Sequence, residues 1–370
     1  MKKPKQLILN GEDIQIERAL KLSKLEKLNE FINWEIFRAI LESKVRKENY
    51  DKGGRPPFDV ILMLKIVVLQ HLHGDLSDDV TESCLVNRLD WILFLGATLG
   101  EKLPDAKTIW KFKEDVGSET MEKMFDLFNS VLLGEGIIAK QGTIEDASFV
   151  DVPRRRAVSR DENKSLKNDE IPDTLQKIED PQTPEETAHN HKVSQIDTDA
   201  SWAKKNDEVH FGYKAHAAVD EKSKIVTAVA VSTAKNHDVL WFVYVICLNA
   251  VILGLDEEAV FTVFADSGYV GSEYAELLRE MFPQIQLLVC KKAAKNKPLS
   301  VLEKNYNHAV STRRCRVEHV FGSITNDMKG MRTSCIGLAR NTRDIVGKFL
   351  AYNIKRAVFL FSKRDTAPAT

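Results

Sequence analysis

From the start of the chain to about residue 136, apolar positions recur at three- and four-residue spacing, the period of a helix. In FDVILMLKIVVLQHL, Phe58, Leu62, Ile66, Leu69 and Leu72 mark one helix opening after the turn GGRPP. Asp75 or Ser77 is placed to cap a second, which carries Val80, Cys84 and Leu85. Asp105, behind Pro104, is placed to cap a third with Ile109, Phe112 and Val116 on its apolar face. Lys107, Lys111 and Lys113 project from other faces of that helix. A short capped helix following others, with lysines on its free side, looks like a helix-turn-helix recognition helix, and many ordinary surface helices look the same.

After Gly136 the period changes. GTIEDASFV predicts a strand with Ile144, Asp146 and Ser148 on one face. From Arg154 to about Asp197 the chain is polar, poor in apolar residues and broken by Pro172, Pro181 and Pro184, which predicts a long insertion or mobile loop. HFGYKAHAAV and KIVTAVAV alternate on either side of the turn DEKSK and predict a hairpin. The nearly unbroken apolar stretch from Val239 to Leu255 is shorter than the ~20 residues of a membrane span and is interrupted by Asn249 and Gly254. It reads as a buried crossover helix. AVFTVFADSGY predicts a buried strand ending at Asp266 and a turn at Ser267-Gly268, followed by a helix from Ser272 to Met281 and the strand IQLLVCKK. These elements describe an α/β domain with a mixed sheet and packed helices. The expected organisation is a helical domain over residues 1–136, an α/β domain over 137–360 with its insertion at about 154–197, and a flexible tail at 361–370.

Composition narrows this picture little. The 370 residues suit two domains, and 43% hydrophobic residues suffice for sizeable cores. Five scattered cysteines without a C-x-x-C pair argue against a disulfide framework or zinc knuckle and for a reducing, cytoplasmic setting. The apolar run near the N-terminus is too short for a signal peptide. A net charge of −1 does not advertise nucleic-acid binding, yet basic residues cluster as KKPK at 2–5, RRR at 154–156, KKAAKNK at 291–297 and RRCR at 313–316. Local patches can bind phosphate at overall neutrality, because screening limits the reach of distant acids to ~8 Å.

Candidate chemistry rests on carboxylates. Asp146 lies inside a predicted strand, where an unpaired buried charge costs at least ~3–5 kcal/mol. A bound cation explains it; so does an arginine or a set of backbone donors. Asp266 also suits an ordinary turn. Val317, Val320, Phe321, Ile324, Met328 and Met331 form an apolar stripe, with Glu318, Arg314 and Thr325 together at its edge. An Arg314–Glu318 surface pair, worth at most ~0.5 kcal/mol, is the plain alternative. Three carboxylates converging from two strands and a helix can hold two Mg²⁺ ions about 3.5–4 Å apart for in-line phosphoryl transfer. Oxygen-only ligands suit Mg²⁺ or Mn²⁺ rather than zinc.

RVEHVFG at 316–322, preceded by Arg314, resembles the glutamate signature of bacterial DDE insertion-sequence transposases of the insertion-sequence-five family. GRPPFDVILMLKIVVLQHLHGDLSDDVTE and LPDAKTIWKFKEDVG are similar to that family's N-terminal helical domain, and DTDASWAKKNDEVHFGYKAHAAVD to its block after the first aspartate. FADSGY resembles the block of the second aspartate, and IGLARN and AYNIKR the C-terminal blocks. The resemblance spans roughly residues 50 to 358. It implies a ribonuclease-H-like catalytic domain, a mixed five-stranded sheet with helices, preceded by an all-helical DNA-binding domain. It also implies an Asp146–Asp266–Glu318 triad using Mg²⁺ or Mn²⁺ to cleave and join DNA. The partners it implies are the element's terminal inverted repeats, target DNA and further copies of the chain, with no membrane, no ATP and a bacterial, nucleoid-associated location. Candidate DNA contacts are Arg314, Lys329, Lys107, Lys111, Arg154, Arg155 and Trp202, with Arg156 beside them. Ser311 stands where the family signature has tyrosine, and Thr325 where it has a basic residue, for which Lys329 is the nearest substitute. A decayed or domesticated transposase that binds DNA without cutting, and a stand-alone nuclease on the same fold, are the alternatives.

Overall fold

The structure is a computed structural model; it describes residues 24–45, 56–155, 158–205, 207–255, 260–266, 273–293 and 298–365. The KKPK run, the start of the GGRPP turn, Arg156, Ser267-Gly268, Ser272 and the end of the KKAAKNK run lie outside them. Contacts divide the chain into two compact units, Met1–Leu127 with Gly347–Thr370, and Phe128–Val346. These divisions differ from the expected boundaries at 136 and 360, and the last helix groups with the first unit from Gly347 onward. It also continues through Asp365, into the segment expected to be a flexible tail.

The first unit is helical: α1 (Glu26–Phe31), α2 (Arg38–Val45), α3 (Val60–Leu72), α4 (Asp78–Asn87), α5 (Leu89–Leu95) and the start of α6 (Ala106–Gly134). Asp59 caps α3 by accepting from the N–H groups of Ile61 and Leu62, and α3 is buried nearly all round. Ser77, not Asp75, caps α4, its hydroxyl accepting from Val80 N–H at 3.3 Å. Asp75 instead bonds buried His71 at 2.7 Å and pairs with the buried Lys348, which ties the end of the chain to this unit. Gly347 leaves room for that pair, since a Cβ there would stand 2.7 Å from His71 Nε2. Polar contacts also join α3, α4 and α6. Gln70 donates to Asp78 at 2.7 Å, Lys113 reaches the same carboxylate at 2.7 Å, and Glu82 accepts from Ala106 N–H at 2.9 Å. The first stretch of α6 breaks at Gly117, whose φ of 66° departs from the helix.

The second unit is a mixed α/β fold, with strands β1 (Thr143–Asp151), β2 (Ser201–Lys205), β3 (Glu208–Asp220), β4 (Val226–Thr233), β5 (Phe261–Ala265) and β6 (Ile285–Val289). Its helices are the end of α6, α7 (Arg160–Lys167), α8 (Pro184–Val193), α9 (Asp238–Leu253), α10 (Glu273–Met281), α11 (Val301–Asp327) and the start of α12 (Leu338–Asp365). Pairing runs β4-β3-β1-β5-β6. β3 is antiparallel to both β1 and β4, while β5 is parallel to β1 and β6 parallel to β5. β2 adds a sixth strand against the first part of β3, one more than expected.

Register puts Ile144, Asp146, Ser148 and Val150 on one face with Val219, Ala217, Ala215 and Tyr213. On the opposite face α9 packs through Val245 and Trp241 against Ala218, Ala228 and Ala230. The expected crossover helix is thus real, though Leu240, Tyr244 and Val251 remain exposed. No helix among the described residues is long and apolar enough to cross a membrane.

The polar segment after Arg154 is folded rather than loose. Capping boxes at Ser159/Glu162 and Thr183/Glu186 start α7 and α8, and Leu166, Leu175 and Ile196 bury together with Val158 against them. Buried Asp197 accepts from Tyr213 Oη at 2.7 Å and anchors the segment to β3. At Gly212, where β3 passes from β2 to β4, φ is +148°, and a Cβ would stand 2.1 Å from the Val150 carbonyl. Gly212→Ala is therefore expected to cost on the order of 2–4 kcal/mol, from backbone strain plus a clash that only strand separation relieves. Urea unfolding followed by circular dichroism checks this; an unchanged midpoint counts against so tight a crossing of β1 and β3.

Candidate active site

On the edge of β1 turned away from β3, pairing is interrupted. Thr143 and Ile144 pair with Val263 and Phe264 of β5, but the strands then part. At the other end Asp151 bonds a different segment, donating to the Met331 carbonyl at 3.2 Å and accepting from Thr333 N–H at 3.3 Å. Between these two points lies Ala147, whose N–H is taken by the Asp146 carboxylate at 2.9 Å. Continuing the β1–β5 register two residues further brings Asp146 level with Asp266, the residue after β5. A crevice at the carboxyl ends of parallel strands, beside the point where strand direction reverses, is where α/β sheets commonly receive ligands.

Helix α11 supplies the third side. Ser300 and Glu303 form its capping box, and Val310, Val317, Val320 and Ile324 anchor it, packed on β1, β5 and β6. Arg314, whose side chain is 19% exposed, reaches Asp266 at 3.7 Å, an ion pair without a hydrogen bond. Its buried Nε has no hydrogen-bond partner. Glu318 follows one turn later and is exposed. Among the described residues no three His, Cys, Asp or Glu side chains close into a metal-binding cluster. Asp146 and Asp266 come together, and Glu318 stands at the helix edge without closing on them.

Burial pushes the Asp146 carboxyl above its ordinary range, and Asp266 pushes it further; the Ala147 N–H, Arg314 and Lys205 pull it partly back. Ionised Asp146 is therefore incompletely compensated, and a cation would supply what is missing. The all-carboxylate donor set fits a hard divalent ion.

The remaining candidates separate into two groups. Lys329, left-handed at φ 57°, lies exposed just before the Met331 segment that closes the crevice. Trp202, 41% exposed, packs on Phe211 and carries the exposed Arg154 guanidinium 5.3 Å above its ring. Lys107 and Lys111 are exposed on the first stretch of α6, with Trp110 between them, and Asp105 starts that helix by accepting from Thr108 N–H at 2.8 Å. Arg155 instead turns inward, donating to the carbonyls of Asp197, Thr198 and Ala200 and lying over Phe211. In the RRCR run, Arg313 and Arg316 both reach Glu221, leaving Arg314 to the crevice. Ser311 donates to the Asn307 carbonyl, and Thr325 is exposed. Sequence reasoning passed over Lys205, although the Lys204-Lys205 pair before a turn was a visible signal. It also missed Glu221, for which periodicity gives no signal.

A family model described as Transposase DDE domain matches residues 139–354, and one described as Transposase domain (DUF772) matches residues 14–115. Among solved structures, the chain is similar to a piggyBac transposase synaptic complex with hairpin DNA, determined by cryo-electron microscopy. The identity is 13%, over 93% of this chain and 80% of that one, with a TM-score of 0.38.

The raised Asp146 carboxyl has a stability consequence. Its ionisation costs more in the folded than in the unfolded chain, so the wild type loses stability relative to Asp146→Asn as pH rises through the folded-state value. Without divalent cations, the two should melt together below the ordinary aspartate value of 3.8, and Asp146→Asn should melt higher once pH passes above the raised value. Thermal melts in chelator across pH measure the difference; a variant that melts lower at neutral pH contradicts the charge argument.

Proposed function

The chain belongs to the family of transposases with a DDE domain, and we propose that it cleaves and joins DNA through Asp146, Asp266 and Glu318 on a ribonuclease-H-like catalytic domain. The observation carrying this reading is the incompletely compensated Asp146, level with Asp266 in the break between β1 and β5 and beneath Arg314. The strand order β4-β3-β1-β5-β6, antiparallel then parallel about β1, supports the ribonuclease-H-like assignment.

Mg²⁺, with Mn²⁺ as substitute, would be held by these carboxylates and would supply Lewis acidity to the attacking and leaving oxygens. Asp146 fixes the ligand oxygens relative to the sheet, because its own chain N–H interaction at Ala147 holds its rotamer. Asp266, with its side chain 59% exposed, is open to the crevice mouth, where substrate enters. Arg314 binds and orients a DNA phosphate through the partly exposed end of its guanidinium, a charge-assisted contact that lysine cannot copy in planar form. Lys205, Lys329, Arg154 and Trp202 border this region as contacts to the strand being cut, with Trp202 able to stack on an unpaired base. Lys107 and Lys111 contact duplex DNA from the first unit. The terminal inverted repeats, assembly as a homodimer or higher oligomer on paired ends, and a bacterial cytoplasmic, nucleoid-associated setting belong to the same reading.

Single replacement of Asp146, Asp266 or Glu318 by alanine is expected to abolish Mg²⁺-dependent nicking of the element's ends while DNA binding, read by gel shift, survives. Cleavage retained in any one variant removes that residue from the site. Arg314→Lys should lose much of the cleavage rate, about 100-fold if phosphate orientation is its role, with an unchanged melting temperature. Full activity there leaves only the ion pair to Asp266. The double variant Lys107→Ala/Lys111→Ala of the full chain should bind more weakly, with the salt-dependence slope reduced by about 2. A slope equal to wild type moves the duplex contacts elsewhere.

A further inference from the structure

Helix α11 is held from both sides of its apolar stripe. On one edge lie Arg314, which reaches Asp266, and the exposed Glu318. On the other, Arg316 and His319 reach the turn between β3 and β4, with Arg313 near the stripe itself. The residue the two arginines meet is Glu221, only 4% exposed. Arg313 Nη1 bonds its Oε1; Arg316 Nη1 stands 3.4 Å from the same oxygen and donates to the Glu221 carbonyl at 2.7 Å. Glu221 is itself fixed. Its N–H donates to the Gly142 carbonyl at 2.9 Å, and its Oε2 lies 3.1 Å from where a Cβ on Gly142 would be. The turn around it is closed by Asp220, which accepts from Ser223 N–H at 2.8 Å and Oγ at 2.6 Å. Lys224 Nζ lies 2.7 Å from His319 Nδ1.

We propose that Glu221 is a positioning residue: by gripping Arg313 and Arg316 at the amino end of β1, it sets the rotation of α11 about its axis and so aims Arg314 and Glu318 at Asp146 and Asp266. This rests on the reading that Glu318 belongs to the site. An apolar stripe alone tolerates small rotations, because valine and isoleucine contacts are non-directional. The Arg313 bond to the buried carboxylate and the Arg316 bond to the same residue's carbonyl do not, since their geometry is directional. Glu221 and Gly142 immediately flank the strand that carries Asp146, so the grip refers the helix to the same strand as the first carboxylate. Glu318, exposed at the helix edge, inherits its placement from the helix.

The test uses the full-length chain with Fe²⁺ in place of Mg²⁺. With ascorbate and peroxide, bound Fe²⁺ cuts nearby backbone, and the wild type should be cut near residues 146, 266 and 318. Glu221→Gln should weaken the cut near Glu318 about tenfold and keep the other two. Its Mg²⁺-dependent nicking rate should fall about 100-fold, as expected of an ångström-scale misplacement, while DNA affinity stays within about twofold. Arg313→Gln should give the same pattern, and the double variant should be no worse than the single ones, because both remove the Arg313–Glu221 ion pair. Should Glu221→Gln lose its cooperative melt, Arg316→Gln and Arg313→Gln, on the more exposed partners, carry the measurement. A wild type without a cut near Glu318 sinks the reading of the site and this proposal with it. A wild-type cut that the variants leave at full strength, or rate losses that simply add, overturns the positioning role alone.

Discussion

The second unit depends on a strand that is fully paired along one edge and broken along the other. β1 keeps its ladder with β3 from Thr143 to Asp151, so its position and pleat are fixed. On its other edge the pairing with β5 ends at Ile144, and among the described residues the next backbone partner is at Asp151. A buried edge normally needs partners for every N–H and C=O, because each orphan costs about 1–3 kcal/mol. Here Asp146 serves Ala147 with its own carboxylate. The break thus does two things at once: it opens space between two parallel strands, and it holds an acidic side chain rigidly in that space. A continuous β1–β5 ladder would satisfy the backbone better and leave no crevice.

The surrounding elements read as consequences of that arrangement. β5 must end where it parts from β1, which leaves Asp266 at the mouth rather than inside. Helix α11 has to cover the exposed edge of β1 and β5 without filling it, and its stripe ends against the sheet with Arg314 rather than another aliphatic residue toward Asp266. The segment after α11 then returns to β1 at Asp151, so the helix is tied to that strand directly at its far end and through Glu221 nearer its middle. α9 closes the opposite face over alanines, whose small side chains permit close helix approach and leave the Asp146 face free of it.

Much of this was legible because periodicity is a local property. Alternation located β1 and put Asp146 on the Ile144–Ser148 face; the apolar run located β5; the stripe from Val317 located α11 and the edge shared by Arg314 and Glu318. The pairing of distant segments was not. Nothing local says that Gly212 must pass within 2.1 Å of a carbonyl, or that β2 adds a strand. Glu221 sits in a polar turn sequence that looks solvated, and only the approach of α11 buries it. The polar segment after Arg154 was misjudged for a different reason: its low apolar content suggested disorder, but the S-x-x-E and T-x-x-E spacings at Ser159 and Thr183 were capping signals in plain view. The end of the chain groups with the first unit through tertiary contacts, such as Lys348 with Asp75, that no local pattern shows.

Charge gives the last step. The basic runs, counted along the sequence, overstate what a phosphate can meet. Arg155 is spent on three carbonyls, Arg313 and Arg316 on Glu221, Lys113 on Asp78 and Lys348 on Asp75. Each of these answers a specific acceptor inside its own unit. Among the exposed cations are Lys205, Lys329 and Arg154, and Lys107 and Lys111 on the first stretch of α6. With a net charge of −1 the molecule as a whole has no long-range attraction for a polyanion. Attraction has to come from local sets of cations acting within the ~8 Å reach that physiological salt allows. On the proposed function, such a molecule would gain little from nonspecific electrostatic capture and would rely on meeting DNA where geometry and charge coincide, which favours discrimination of a particular DNA site over tight binding to any duplex.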